Sequence, residues 1–191
     1  MVLVDTDVRQ AEGEVLDLLH GTSFTRHTKI RVGNYEDLNN LKIVVITAGV
    51  GQKSGESRLD LMERNVRVIK NIVIEIAKYT PNSILLMVTN PVDVLTYVAW
   101  KVSRFLFNRV MGSSTVLDTV CLRVLIARHC RVSPKSVYAY IIGEHGDSEL
   151  AVWSKAVIGG VPIKDMCNTY SRKDCSNNAL ENILKKQKGS L

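Results

Sequence analysis

Strand-length runs of apolar residues alternate along this chain with stretches in which apolar positions recur every three or four residues. Val2-Leu3-Val4 reads as a strand ending at Asp5, and Val8 to Leu19 as a helix closed by His20-Gly21. Ile43 to Thr47 is a continuous apolar run, the pattern of a strand covered on both faces. Val66, Ile69, Val73 and Ile76 share one helical face and predict a long amphipathic helix from Leu59 to Tyr79, stopped by Pro81-Asn82. Ile84 to Val88 is the next strand, followed by the turn Asn90-Pro91 and a helix through Val98 and Trp100 that fades near Phe105. Arg109-Val110-Met111 reads as a short strand, Leu117 to Cys130 as a helix with Asp118 near its start, and Val137 to Ile142 as a strand running into Gly143. Beyond Val152 the signals thin out to a turn at Gly159-Gly160-Val161-Pro162 and a helix beginning at Asn177.

Strands alternating with helices predict an α/β fold built on a parallel sheet. Composition agrees, since 46% hydrophobic and 23% charged residues over 191 positions lie in the range of folded domains and away from the low-hydrophobicity corner that stays disordered. The longest apolar runs fall far short of the ~20 residues that span a bilayer. Asp5 and Asp7 interrupt any secretory leader almost at once. Neither membrane insertion nor secretion is expected. Cys121, Cys130, Cys167 and Cys175 show no C-x-x-C spacing and no histidine at zinc-finger distance, so neither a metal site nor a disulfide framework is predicted. Reduced thiols point to the cytoplasm. The net charge of +6 is spread along the chain, with one dense cluster at Lys185, Lys186 and Lys188. Without aromatic interleaving or a recognition motif it predicts a solvated basic tail and no nucleic-acid partner.

Two segments are candidates for chemistry. The loop Gly49-Val50-Gly51-Gln52-Lys53-Ser54-Gly55 leaves a strand, yet it fits neither the P-loop, which needs Gly-Lys-Ser in succession, nor the dinucleotide fingerprint. It reads instead as a glycine-hinged lid with Arg58 at its far edge. His145 sits in Gly143-Glu144-His145-Gly146-Asp147, past the carboxyl end of a strand, where open α/β sheets place their ligands. Flanking glycines leave space for a substrate, and imidazole suits general acid-base work near neutrality. His20, His27 and His129 lack such surroundings.

Thr47-Ala48-Gly49, Gly55-Glu56-Ser57-Arg58-Leu59, Asn90-Pro91-Val92-Asp93, Leu117-Asp118-Thr119 and Gly143-Glu144-His145-Gly146-Asp147-Ser148, in this order, resemble the L-lactate dehydrogenase family of the lactate/malate dehydrogenase superfamily. The resemblance runs to about Pro162. It implies a partial Rossmann-type doubly wound parallel sheet, the NAD-binding part over 1–112, followed by the start of an α+β substrate domain over 113–191. The implied reaction interconverts lactate and pyruvate with NAD as cofactor. In it His145 is the proton donor, Asp118 holds and charges its ring, and Arg58 arrives with the lid to stabilise the developing oxyanion. Asp5 would bind the adenosine ribose and disfavour a 2′-phosphate, favouring NAD over NADP. Thr47, Ala48 and Gly49 would pass close to the cofactor, and Asn90 and Ser113 would lie near nicotinamide and substrate. Gln52, where relatives acting on malate carry arginine, favours lactate. The family also implies a homo-oligomer.

Departures from the family pattern accompany these matches. Where the family places a substrate-clamping arginine, three residues after the aspartate, this chain has Cys121. Arg123 lies ~200° further round a helix and does not replace it. Two charge-assisted hydrogen bonds of roughly 1.5–3 kcal/mol each are thereby lost, an expected two to four decades in efficiency. The family's first strand and glycine-rich phosphate loop have no counterpart before Asp5, and its later helices none after Leu191, so the chain reads as truncated at both ends. Tyr138 stands where many bacterial members have a histidine for an activating sugar bisphosphate, although Arg123 is kept. Two alternatives stay open: an inactive interaction protein, pairing with a full-length relative, and a dehydrogenase for malate or another 2-hydroxy acid.

Overall fold

The computed structural model describes residues 1–166 and 177–188. Cys167, Cys175 and the side chains of Arg58, Lys186 and Lys188 lie outside the described residues. The chain divides into two compact units, Met1–Gly112 and Ser113–Leu191.

In the first unit, β1 (Val2–Leu3) leads into α1 (Val8–Gly21), and β2 (Arg31–Val32) returns to pair with β1 in parallel. Asp7 caps α1 by accepting from the Arg9 and Gln10 amides. His20-Gly21 proves to be the last turn of that helix and not its stop; Thr22 ends it, its amide donating back to Leu19 and His20 carbonyls. A second, separate parallel sheet contains β3 (Ile43–Ile46), β4 (Ile84–Met87) and β5 (Val110–Gly112) in that order. Its crossovers are α2 (Arg58–Tyr79) and α3 (Val92–Ser103). α2 starts where Ser57 and Asp60 cap each other reciprocally.

The register aligns Val44 with Leu85 and Val110, and Ile46 with Met87 and Gly112, on one sheet face. That face meets Ile69, Val73 and Ile76 of α2 and Leu95 and Ala99 of α3 in one buried cluster. The opposite face is bare. Ile43, Val45 and Met111 are 56%, 54% and 44% exposed. The expectation that the Ile43–Thr47 strand is covered on both faces is therefore corrected: among the described residues, both crossover helices pack on the same side.

The second unit begins with α4 (Val116–Cys130). The Val137–Ile142 run expected as one strand is broken into β6 (Val137–Tyr138) and β7 (Ile141–Ile142), which join different sheets. The cause lies in α4, whose side chains occupy the backbone between them. Arg123 Nε donates to the Ala139 carbonyl at 2.9 Å, and Thr119 Oγ1 accepts from the Ile141 amide at 2.9 Å. β7 pairs antiparallel with β8 (Leu150–Ala151). β6 pairs with β9 (Val157–Ile158), which turns through Gly159 and Gly160, both at positive φ, into β10 (Val161–Pro162). A single turn, α5 (Ile163–Met166), and α6 (Asn177–Lys188) complete it. Leu122 and Ile126 of α4 meet Val137, Ile158, Ile163 and Leu180 in its closed core. No described helix is long and apolar enough to cross a membrane.

Candidate active site

The second unit assembles a histidine–carboxylate pair from its own residues. Asp118 lies in the first turn of α4, fully buried, and His145 lies in the loop between β7 and β8. Two threonines lock these elements together. Thr115 Oγ1 donates to the Ile141 carbonyl at 2.8 Å while Thr119 receives the Ile141 amide, so the start of α4 is tied to the last strand before the loop. Gly143 then takes φ +100°, a left-handed value that side chains other than glycine rarely adopt, and turns the chain toward α4. The result is a 2.7 Å contact in which His145 Nδ1–H donates to Asp118 Oδ2, with His145 still 23% exposed. Since Nδ1 is occupied, Nε2 is the nitrogen suited to exchange a proton with a substrate.

Cys121 is half-buried on α4, one turn beyond Asp118 and on the same side of the helix. Arg123 faces elsewhere, with its guanidinium 5.0 Å from the centre of the Tyr140 ring. Glu149, which the sequence reading passed over, is buried at 7% exposure, and a carboxylate oxygen of it lies within 4.8 Å of ligand atoms of both Asp118 and His145. Its signal was present in the sequence: an acid at the inward position of a strand-like alternation, two residues before buried Ala151.

In the first unit the predicted residues gather at the carboxyl ends of parallel strands. Thr47, Ala48 and Gly49 follow β3, Asn90 follows β4 across a cis peptide bond to Pro91, and Ser113 follows β5 as the first residue of the second unit. The β3 and β4 ends are held close, because Thr89 Oγ1 donates to the Ala48 carbonyl at 2.8 Å and a Cβ on Gly49 would stand 2.6 Å from Thr89 Cγ2. Asn65, buried on α2, accepts the Val50 amide at 2.8 Å. Asp5 lies just past β1, exposed, accepting the Asp7 amide at 2.9 Å. Gln52 is exposed and donates to the Glu56 carbonyl at 2.8 Å. The Lys53 amide and the Arg64 guanidinium hold the Glu56 carboxyl below its ordinary range. Arg58 is the first residue of α2. Thr89 and Asn65 carried no sequence signal beyond a polar residue among apolar ones.

An exposed carboxylate just beyond β1 and loop backbone at the carboxyl ends of β3, β4 and β5 are the kinds of group that dinucleotide-binding α/β folds use.

Comparison with known proteins places these features in a family. The profile of the lactate/malate dehydrogenase NAD binding domain matches residues 1–112, and that of the lactate/malate dehydrogenase alpha/beta C-terminal domain matches 115–189. An L-lactate dehydrogenase of Pseudothermotoga lettingae is 52% identical over 190 residues, covering 100% of this chain and 60% of that protein. One from Acetivibrio thermocellus is 52% identical over 168 residues, covering 88% of this chain and 53% of that protein. A crystal structure of a lactate dehydrogenase from a Medee basin deep-sea metagenome library superimposes with TM-score 0.91 at 46% identity, over 99% of this chain and 60% of that one. The minor L-lactate dehydrogenase of Enterococcus mundtii gives TM-score 0.90 at 40% identity. This chain thus spans about 60% of the length of relatives that match it along nearly its whole extent, and it belongs to the lactate/malate dehydrogenase family.

Proposed function

We propose that the protein represented by this chain is an NAD-dependent L-lactate dehydrogenase that interconverts lactate and pyruvate in the cytoplasm as a homo-oligomer. The observation that carries the reading is the 2.7 Å pair of buried Asp118 with partly exposed His145. A proton donor needs a ring held in one tautomer and a counter-charge for its cationic form, and one buried carboxylate on Nδ1 supplies both. His145 gives the Nε2 proton to the substrate oxygen in reduction and takes it back in oxidation, and Asp118 stabilises the imidazolium between these events. NAD, when bound, accepts or donates the hydride. Asp5, Thr47, Ala48, Gly49, Asn90 and Ser113 hold it, and the carboxylate of Asp5 disfavours a 2′-phosphate. Arg58, carried at the start of α2, stabilises the developing oxyanion. Gln52, at the lid position where relatives acting on malate carry arginine, offers no cation there to a second carboxylate, which favours lactate over malate.

The test is pyruvate-dependent oxidation of NADH, run beside a thermal melt with and without NADH. Saturation at ~100 times the dissociation constant stabilises a binder by roughly 2.7 kcal/mol. An upward-moving melt with turnover abolished in His145→Gln supports the reading, whereas a melt indifferent to NADH refutes cofactor binding by this chain.

The bare apolar face of β3, β4 and β5 favours a second reading, in which the chain acts by pairing with a full-length relative. Recovery of a stable complex on co-expression with such a relative, lost in Val45→Lys, supports that reading.

A further inference from the structure

The segment that leaves β3 is tied at its two ends to consecutive residues of α2. Buried Asn65 accepts the Val50 amide at 2.8 Å, and Arg64 Nη1 donates to both carboxylate oxygens of Glu56 at 2.6 and 2.8 Å. Between these anchors Gly51, Gln52, Lys53, Ser54 and Gly55 are all exposed. Their order comes from Glu56. Its amide donates to the Lys53 carbonyl at 3.1 Å and closes a four-residue turn whose third residue, Gly55, takes φ +77°, a value that favours glycine. Its carboxylate accepts the Lys53 amide at 2.8 Å, and its carbonyl accepts Gln52 Nε2 at 2.8 Å. The Glu56 side chain is 11% exposed and that of Arg64 30%, whereas both partners of the Arg67–Glu63 pair on the same helix are exposed.

We propose that Glu56, clamped by Arg64, is the positioning residue of the lid: it makes Gly51 to Gly55 a preformed loop on a fixed base and sets the direction of the Gln52 side chain. An exposed tip containing two glycines has few packing contacts of its own, and ordering each of its residues costs conformational entropy. One residue that gathers a backbone amide and a guanidinium on its carboxylate, and a side-chain amide on its carbonyl, offsets that cost at a single point. Surface ion pairs contribute little when both partners are exposed, and more when a shielded carboxylate is gripped at two oxygens. The Ser57–Asp60 cap follows Glu56 directly, so Arg58 lies beside two clamps at the start of α2. Removing the Glu56 charge therefore loosens the tip and Gln52 while the cap keeps the helix start in place. The consequence for substrate choice rests on the proposed dehydrogenase reading, whereas the order of the loop does not.

Limited trypsin digestion of the full chain, followed by mass spectrometry, reads the tip through cleavage after Lys53, which lies in its middle. Such cleavage follows the population of the opened loop when reclosing is fast. Glu56→Gln, which keeps size and backbone bonds, is expected to speed it about fivefold, with cleavage after Lys135 of the second unit unchanged. Arg64→Gln gives the same increase and the double variant no further one, because both substitutions remove a single shared contact. An unchanged rate in a folded Glu56→Gln, or effects of the two substitutions that multiply, overturns the proposal. Should Glu56→Gln not fold, Arg64→Lys decides beside Arg64→Gln: protection kept in the first and lost in the second supports the clamp, and equal rates overturn it. Where turnover is measurable, the ratio of kcat/KM for pyruvate over oxaloacetate falls several-fold in Glu56→Gln, through KM more than kcat. An unchanged ratio beside a loosened tip overturns the positioning of Gln52. Absence of NADH-dependent turnover in the native chain counts against the dehydrogenase reading and leaves the clamp standing.

Discussion

In the first unit three parallel strands are covered on one side only and carry their candidate residues at strand ends, whereas the second unit closes its core around α4 and forms its histidine–carboxylate pair inside. The difference concerns what each needs. A general acid and its partner require two side chains in fixed contact, and α4, β7 and one loop within the second unit supply them. A cofactor groove is made of backbone at the ends of a sheet, and its shape depends on how completely that sheet is built and covered. Apolar Ile43, Val45 and Met111, all more than two-fifths exposed, show a surface that folding of these residues leaves unburied.

The largest expected effect sharpens the contrast on the side of chemistry. Cys121 is the departure from the family pattern nearest Asp118, so Cys121→Arg raises pyruvate turnover by roughly two to four decades if its loss is the main defect. Steady-state NADH oxidation checks this, and unchanged turnover places the defect in the first unit.

Next in size is a pair of substitutions on opposite faces of the same sheet. Leu85 is fully buried between β4 and the crossover helices, so Leu85→Ala costs about 2–5 kcal/mol. Val45→Thr on the bare face changes stability by no more than about 0.5 kcal/mol. Urea unfolding of both variants measures the difference, and equal losses would mean that the second face is covered in solution.

Smaller still is the cap that starts α2 and carries Arg58 as its first residue. Ser57 Oγ accepts from the Asp60 amide at 3.2 Å and donates to the Asp60 carboxylate at 2.6 Å. Ser57→Ala therefore costs about 1 kcal/mol, read as a lower urea midpoint with no change in the NMR signals of His145.

The smallest effect is a pH dependence confined to the first unit. Arg31 and the Asn34 amide hold the Asp37 carboxyl at about 2, against an ordinary 3.8. Because the folded value is the lower one, this contribution to stability is present above about 3.8 and is lost as pH falls toward about 2. Melts at stepped acidic pH follow the loss, and Asp37→Asn removes that part of the slope while leaving the second unit's signals unchanged.

Read as sequence, the chain already declared α1 to α4, the strands β1, β3, β4 and β5 and the order of its motifs, though not the two-residue β2 or the single turn α5, because amphipathic spacing and strand-length apolar runs are local properties. The helix from Leu59 to Tyr79 was expected to within one residue of its observed start at Arg58. Asp118 and His145, 27 residues apart, could be paired only through resemblance, and the contact itself is made by Thr115 and Thr119 seizing the backbone of Ile141. Tertiary structure alone decided that one predicted strand splits into β6 and β7, since hydrogen bonds from another element compete for its backbone groups. It also decided that Ile43 and Val45 stay uncovered, since an apolar run records the burial a strand is suited to and not which neighbours arrive. Glu149 joins the two levels: alternation marks its inward position, and only the packed α4 reveals what that buried carboxylate meets.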